Sequence, residues 1–411
     1  EDSSSSENTE NQTTAQTNQT ITDLRMEIVS YDTINPLISN NRNVQEITKL
    51  VFEPLLQLDE NYKLQPCLAT EWAKSGDTSY ILKLRSNVKW QDGTSFTAQD
   101  VKYTIETLKQ INSIYSYNVQ HIASVDIIDN YSIRINLDTI IPFFEYNLIF
   151  PIVSSTYFAG QDIQNTDKNA TPIGTGMYKI ESNSTSTVVL KKNTSWWNIS
   201  EKNAKVDTIN VNKYSSMGEA YNAFKLGNID ILTTENINIE DNIGTIGYNK
   251  KDFYGREHDF IALNTYDNFL SRWEVRKAIS YAIDKSSIVT SVYGGKYYTA
   301  DNPLDYGNWT FEQGSSSTGY NPDQAKQVLI DGGWSYKYGS WQKVENYKTI
   351  RLSINLTVNA DNSSQVAVAD IIKTSLENIG IKVNVSKLNS ASFQTALNNK
   401  NYGMIITGTN S

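Results

Sequence analysis

The spacing of apolar residues changes period several times along the chain, and each change predicts an element. An apolar strand pattern surrounds Met26, Ile28 and Val29. A loop over 31–43 follows, then a helical stretch through Val44, Ile47, Leu50 and Val51. Tyr80, Leu82 and Leu84 alternate as in a half-buried strand. Thr97 and Asp100 have the spacing of a capping pair, ahead of a helix that turns Val101, Ile105 and Leu108 inward. Ile133, Ile135 and Leu137 lie on the return strand of a hairpin turned at Asp129 and Asn130.

From about Pro172 the pattern is strand-rich. The stretches 177–180 and 187–190 read as a pair, 206–211 as a further strand and 229–232 as a buried one. Between the last two, a short helix through Met217, Ala220, Tyr221 and Phe224 should stop at Gly227, where a positive φ costs little. The third region is the most regular. Ser271 and Glu274 suggest a capping box before the helical face Val275, Ala278, Ile279, Ala282 and Ile283. Asn321 and Pro322 should open another helix, and Gly332 and Gly333 close it. Leu352, Ile354, Leu356 and Val358 alternate. Val368, Ile371, Ile372, Leu376 and Ile379 then share a helical face that ends at Gly380, and Ile381, Val383 and Val385 alternate again. That succession predicts a βαβ unit with a right-handed crossover. A short helix (Phe393, Ala396, Leu397) and the run Met404, Ile405, Ile406 extend it. The fold class is α/β, in more than one lobe.

Composition narrows the function. The chain has 411 residues, 39% of them hydrophobic, enough for two or three domains. A net charge of -9 argues against a nucleic-acid partner, which needs a basic footprint. No apolar run reaches transmembrane length. Residues 1–20 hold one alanine and no other apolar residue, so the segment is expected to be a disordered tether. Cys67 is the single cysteine and sits among Leu64, Pro66 and Leu68, as a buried small hydrophobe would. With His121 and His258 far apart, a structural zinc site is excluded, and no metal or cofactor is expected.

No nucleophile elbow, zincin motif, Walker loop or dinucleotide fingerprint occurs. Gly174-Thr175-Gly176 reads as a tight turn before a strand, and Trp196-Trp197 as cover for a core edge more than as a sugar platform. The acidic residues are scattered, and no pair is singled out for glycoside hydrolysis. The chain is therefore not expected to be an enzyme.

A series of blocks then resembles the family 5 extracellular solute-binding proteins, the oligopeptide- and dipeptide-binding components of bacterial ABC importers. They are 32–37 (DTINPL), 50–59 (LVFEPLLQLD), 64–72 (LQPCLATEW), and 84–101 (LRSNVKWQDGTSFTAQDV), the most specific. In the same order follow 172–179 (PIGTGMYK), 193–197 (NTSWW), 219–232 (EAYNAFKLGNIDIL), 276–289 (RKAISYAIDKSSIV) and 320–334 (YNPDQAKQVLIDGGW).

The resemblance implies a periplasmic-binding-protein-like type II two-lobed clamshell with an extra insertion domain. The first lobe would hold 21–57 and 171–262, the insertion domain 58–170, and the second lobe 263–411. Relatives continue past this point and cross back to the first lobe, so the second lobe is expected to be incomplete at Ser411. An acidic partner for a peptide's amino terminus would lie just beyond.

By the same resemblance, the ligand would be a peptide captured between lobes and passed to ABC permease subunits, with closure shifting the population that the permease reads. The ligand-binding residues would be Ser39, Asn40, Asn41, Arg42 and Asn43 from a first-lobe loop, and Tyr115 or Tyr117 from the insertion domain. Asn359 and the strand end Thr407, Gly408, Thr409 and Asn410 would complete them. The protein would be a monomer, an extracellular cell-surface lipoprotein or a periplasmic protein, meeting the bacterial plasma membrane only through an N-terminal lipid anchor expected to lie outside this chain. Oligosaccharide transport and pheromone sensing on the same scaffold are the alternatives. Peptides are preferred because a strand end with a small residue, Gly408, lets another backbone approach.

Overall fold

The computed structural model describes residues 22–255, 257–300 and 318–410. The tether expected over 1–20 lies outside them. The described residues form two compact units that part between 235 and 245. In chain order the first unit has strands β1 (Asp23–Val29), β2 (Leu56–Leu58), β3 (Leu64–Pro66), β4 (Ala69–Gly76), β5 (Ser79–Leu84), β6 (Ile122–Asp129), β7 (Ser132–Leu137), β8 (Tyr178–Asn183), β9 (Thr187–Lys192) and β10 (Thr208–Tyr214). Its helices are α1 (Arg42–Thr48), α2 (Ala98–Leu108), α3 (Ser116–Val119), α4 (Met217–Lys225) and α5 (Glu240–Ile243).

One sheet runs β1-β10-β9-β8, with β1 and β10 parallel and the rest antiparallel. A second, β4-β5-β7-β6, lies wholly within the expected insertion segment. The two sheets share one apolar core, in which Ile28, Leu55 and Val188 join Leu82, Val101, Ile135 and Phe150. The inserted segment thus buries its apolar face together with the first sheet's.

Several local readings hold because side chains satisfy the backbone groups the sequence pointed to. The Asp100 carboxylate accepts the Thr97 N–H at 2.9 Å, and Val101, Ile105 and Leu108 are buried. Gly227 has φ 72° where α4 ends. Gly174 and Gly176 do more than turn the chain. A Cβ on Gly174 would overlap the Val51 carbonyl, and one on Gly176 would lie 2.6 Å from the Leu50 oxygen. The two glycines let this segment lie against the Leu50–Val51 backbone, and the Gly176 N–H donates to Val51 O at 2.9 Å. The expected strand over 229–232 is only a single bridge, Met26 to Ile231. Here the Asp230 and Ile231 N–H groups both donate to the Arg25 carbonyl and the Asp230 carboxylate pairs with the Arg25 guanidinium, so the parallel contact with β1 does not extend into a ladder. Of 229–232 only Ile229 is buried.

The second unit has strands β11 (Glu257–Leu263), β12 (Ser335–Lys337), β13 (Ser340–Glu345), β14 (Lys348–Arg351), β15 (Ser353–Asn359), β16 (Lys382–Leu388) and β17 (Met404–Asn410). Its helices are α6 (Trp273–Ala282), α7 (Lys285–Tyr293), α8 (Pro322–Asp331), α9 (Ser363–Asn378) and α10 (Ser390–Asn398). The main sheet is ordered β11-β17-β15-β16. The succession β15-α9-β16 is the βαβ unit read from the sequence, its strands parallel in register Leu356 to Val385.

Two expectations change here. The strand β11 pairs antiparallel with β17 from Glu257 opposite Asn410 to Leu263 opposite Met404. Residues 257–262, assigned above to the first lobe, therefore belong to the second unit's sheet, because their ladder partners lie there. The capping box at Ser271 is also not formed. The residue before α6 is Arg272, and Glu274 instead accepts the Trp334 indole N–H at 3.2 Å. By contrast, the Asn321 side chain caps α8 through the Gln324 N–H at 2.9 Å, with Pro322 in its first turn. No helix among the described residues is long and apolar enough to cross a membrane.

Candidate ligand-binding site

The sequence-predicted residues fall into two groups, one in each unit. In the first unit, most of the loop 39–43 is occupied with holding its own shape. Ser39 is buried, and its hydroxyl donates to Asp32 Oδ1 at 2.7 Å and accepts the Asn41 N–H. Asn41 caps α1 by accepting the Asn43 and Val44 N–H groups, while its amide nitrogen donates to the Val29 and Ser30 carbonyls at 2.7 Å each. Asn40 and Arg42 are exposed, and Arg42 reaches Glu235 Oε1 at 2.6 Å.

Tyr115 joins this loop through a residue that sequence reasoning missed. Its hydroxyl donates to Gln45 Oε1 at 2.8 Å, and the Gln45 amide donates to the Pro36 and Ser39 carbonyls. Burial pushes the Tyr115 phenol up to about 12, so it stays a neutral donor. Tyr117, two residues on, is exposed and is not brought to the loop's network.

In the second unit, Asn359 and Thr407 to Asn410 sit at the C-terminal ends of two parallel strands, β15 and β17. These strands pair only at Leu356 with Met404 and Thr357 with Ile405. Beyond Ile406, β17 keeps its ladder with β11 on one side. On the other side no described strand pairs with it. The result is an open strand edge at the carboxyl ends of parallel strands, where crevices for ligands form in α/β sheets. Asn359 is tied to the turn after β15 and to the start of α10. Its side-chain oxygen accepts the Asp361 N–H at 3.0 Å, and its amide group meets the Ser390 hydroxyl.

Gly408 faces Asp259 across the β11–β17 ladder. A Cβ on Gly408 would lie 2.6 Å from Asp259 Oδ1, so the space over this glycine is taken by a carboxylate of the protein itself. The Gln365 and Tyr293 side chains, from α9 and α7, lie near the Asp259 carboxyl. Its carboxyl is raised above the ordinary aspartate value, first by partial burial and then by the neighbouring Glu257. The nearby Gln365 and Tyr293 side chains oppose that rise.

The family model for the bacterial extracellular solute-binding proteins, family 5, matches residues 63–411. The chain belongs to this family. Among its relatives, the glutathione-binding protein GsiB of Escherichia coli K12 is 25% identical over 375 residues, covering 88% of this chain and 68% of that protein. NikZ from Campylobacter jejuni, solved with Ni(L-His), is similar at 26% identity and a TM-score of 0.69, over 95% of this chain and 77% of that one. The oligopeptide-binding protein AppA of Bacillus subtilis, solved with a nonapeptide, shares the fold with a TM-score of 0.66 at 22% identity, over 96% of this chain and 80% of that one. The type II two-lobed solute-binding fold expected from the sequence is thus the fold of this family 5 chain, and proteins of the family deliver ligands to ABC permeases.

Two features of this family 5 chain lay beyond sequence reasoning. Asp259 gave no signal there, because an acidic residue two positions before Ile261 reads as an ordinary exposed strand position. The second feature is a buried carboxylate, Glu53. Its oxygens accept the Trp196 and Trp197 indole N–H groups at 3.0 and 2.9 Å and the Thr175 hydroxyl at 2.7 Å. Burial raises its pKa against those three bonds. Arg85 stacks over the Trp197 ring at 4.1 Å. The tryptophan pair therefore holds a core edge, as expected, through a hydrogen-bonded carboxylate.

Proposed function

We propose that this solute-binding protein of an ABC importer takes short peptides as its ligand, does no chemistry on them, and works outside the plasma membrane. One observation carries the peptide assignment. Past Ile406 the strand β17 offers its backbone N–H and C=O groups on a side where no described strand pairs with it. An extended peptide can add to such an edge, because main-chain hydrogen bonds provide affinity without reading side chains. A sugar has no repeating backbone donors to match a strand edge. The exposed loop residues Asn40 and Arg42, with Tyr117, are the first unit's candidates for further ligand contact.

The relatives widen the field in a defined way, since their names speak of glutathione, an oligopeptide and a nickel–histidine complex. Calorimetric titration of the full chain separates these classes. The probes are a tri- to pentapeptide pool, glutathione, maltotriose and nickel with L-histidine. Binding of the peptide pool or glutathione, with recovery of the ligand unaltered by mass spectrometry, is the expected result. Binding of maltotriose or of the nickel complex, with no heat from any peptide, overturns the assignment.

A further inference from the structure

A groove on the second unit shares no residue with β15 or β17 and so lies apart from the open strand edge. Helices α6 and α8 run side by side and antiparallel. The Asn321 N–H, at the start of α8, donates to the Tyr281 carbonyl near the end of α6 at 2.8 Å. At the opposite end, Gly332 lies so close to α6 that a Cβ on it would overlap the Glu274 side chain. Each helix buries one face in the unit's core, Val275 and Ile279 on α6, Ala325 and Leu329 on α8. Between the helices, on the solvent side, runs a groove of about 450 Å³. Trp273, Lys277 and Tyr281, each four residues on from the last, form one wall. Gln324, Val328 and Asp331 form the other.

Aromatic rings mark both ends. Trp273 is 63% exposed. Arg272, the residue before it, holds Glu345 by two bonds of 2.7 Å, which brings the turn between β13 and β14 to this end of the groove. That turn is Asn346-Tyr347, with φ 48° and 61°. Its second position favours glycine, yet it carries a fully exposed tyrosine whose ring adds nothing to the packing. At the other end Tyr281 is half-buried, and Tyr320, next to Asn321, is exposed.

The lining between these rings selects the occupant. Lys277, whose Nζ stands over the Tyr281 ring at 5.1 Å, is a donor; Asp331 is an acceptor, and Gln324 is both. An anion would be repelled by Asp331 and a cation by Lys277. The centre of a protein interface is depleted of lysine and acidic residues, because burying them unpaired is costly. A neutral chain rich in hydroxyls matches the lining, since each hydroxyl both donates and accepts. The C–H faces of its rings are slightly positive and suit the electron-rich faces of tryptophan and tyrosine.

We propose that the α6–α8 groove binds a neutral saccharide chain, with Trp273 as its stacking residue, at a site separate from the peptide site. Glycans built on N-acetylglucosamine and plain glucans both have this chemistry.

The test titrates the full chain, wild type and Trp273→Ala, with chitopentaose and with cellopentaose at millimolar concentration in a calorimeter. Wild type should bind at least one of them, and the preferred one identifies the source. Trp273→Ala should weaken that binding about 10-fold, and by no less than about 3-fold, the loss expected when one stacked ring is removed. Trp273 is largely exposed, so the variant should keep the wild-type Tm. A tri- to pentapeptide pool in excess should leave the saccharide affinity unchanged. The proposal falls if wild type binds neither saccharide, which leaves the aromatic surface to a protein partner. It also falls if Trp273→Ala changes the affinity by less than about 3-fold, or if the peptide pool displaces the saccharide. No arm requires that a peptide bind, so failure of the peptide assignment leaves this test intact.

Discussion

Glu27, on β1, gives the most direct test of the energetics described here. It is 3% exposed. One carboxylate oxygen accepts the Thr233 N–H at 2.7 Å, and the other has no hydrogen-bond partner. Burial raises its carboxyl from the ordinary 4.5 to about 7. A folded-state pKa above the unfolded value means that the folded state binds the proton more tightly. Stability therefore rises as pH falls through about 7, and the gain is complete near 4.5. Above about 7 the ionised group costs the fold about 3 kcal/mol.

Glu27→Gln removes the charge and can keep the bond from Thr233. Its amide N–H groups then stand where the unpartnered oxygen was, at a cost of about 1–2 kcal/mol. The variant should be more stable than wild type by about 1–2 kcal/mol at pH 8.5, and equal or slightly less stable at pH 5. The two units need not unfold together, so the probe must report on the first alone. Cys67 serves, being the only cysteine in the chain, buried, and part of that unit. Urea unfolding followed by its reaction with 4,4′-dithiodipyridine, which reacts at both pH values, yields the midpoints. If the wild-type and variant midpoints differ by the same amount at pH 5 and pH 8.5, Glu27 titrates as an exposed carboxylate and the argument is refuted.

Two further substitutions probe the packing around the first unit's sheet. Gly174→Ala drives a methyl into the Val51 backbone carbonyl, which cannot swing away, and should lower the first unit's Tm by about 4–12 °C in calorimetry. An unchanged Tm would mean that the Gly174–Val51 approach is loose. Trp197→Phe removes one of three donors to Glu53 and leaves a smaller ring under Arg85, and should cost about 1–3 kcal/mol in urea unfolding. A loss below about 0.5 kcal/mol would show that Glu53 finds another donor.

The sequence by itself determined the elements whose cause is local. The helix opened by Asn321 and Pro322, the cap at Asp100, the hairpin at Asp129 and Asn130, and the β15-α9-β16 unit were all legible. In each, a side chain meets a backbone group a few residues away, or an apolar period shows which face is buried. The family was legible for a related reason, since its blocks cluster where glycine, proline and tryptophan have little freedom, as at Gly174 and Trp197.

The partition of the chain and the details of the site were decided by contacts between residues far apart in sequence. Strand β11 joins the second unit because its ladder partner is nearly 150 residues away, and no local pattern in 257–263 announces that. Glu274 was read as a cap because Trp334, its actual partner, is 60 residues on. Gly408 was read as space for a ligand, and the structure fills that space with Asp259. A missing side chain shows in the sequence; what occupies its place is settled by which strands pair, and strand pairing is a property of the whole sheet.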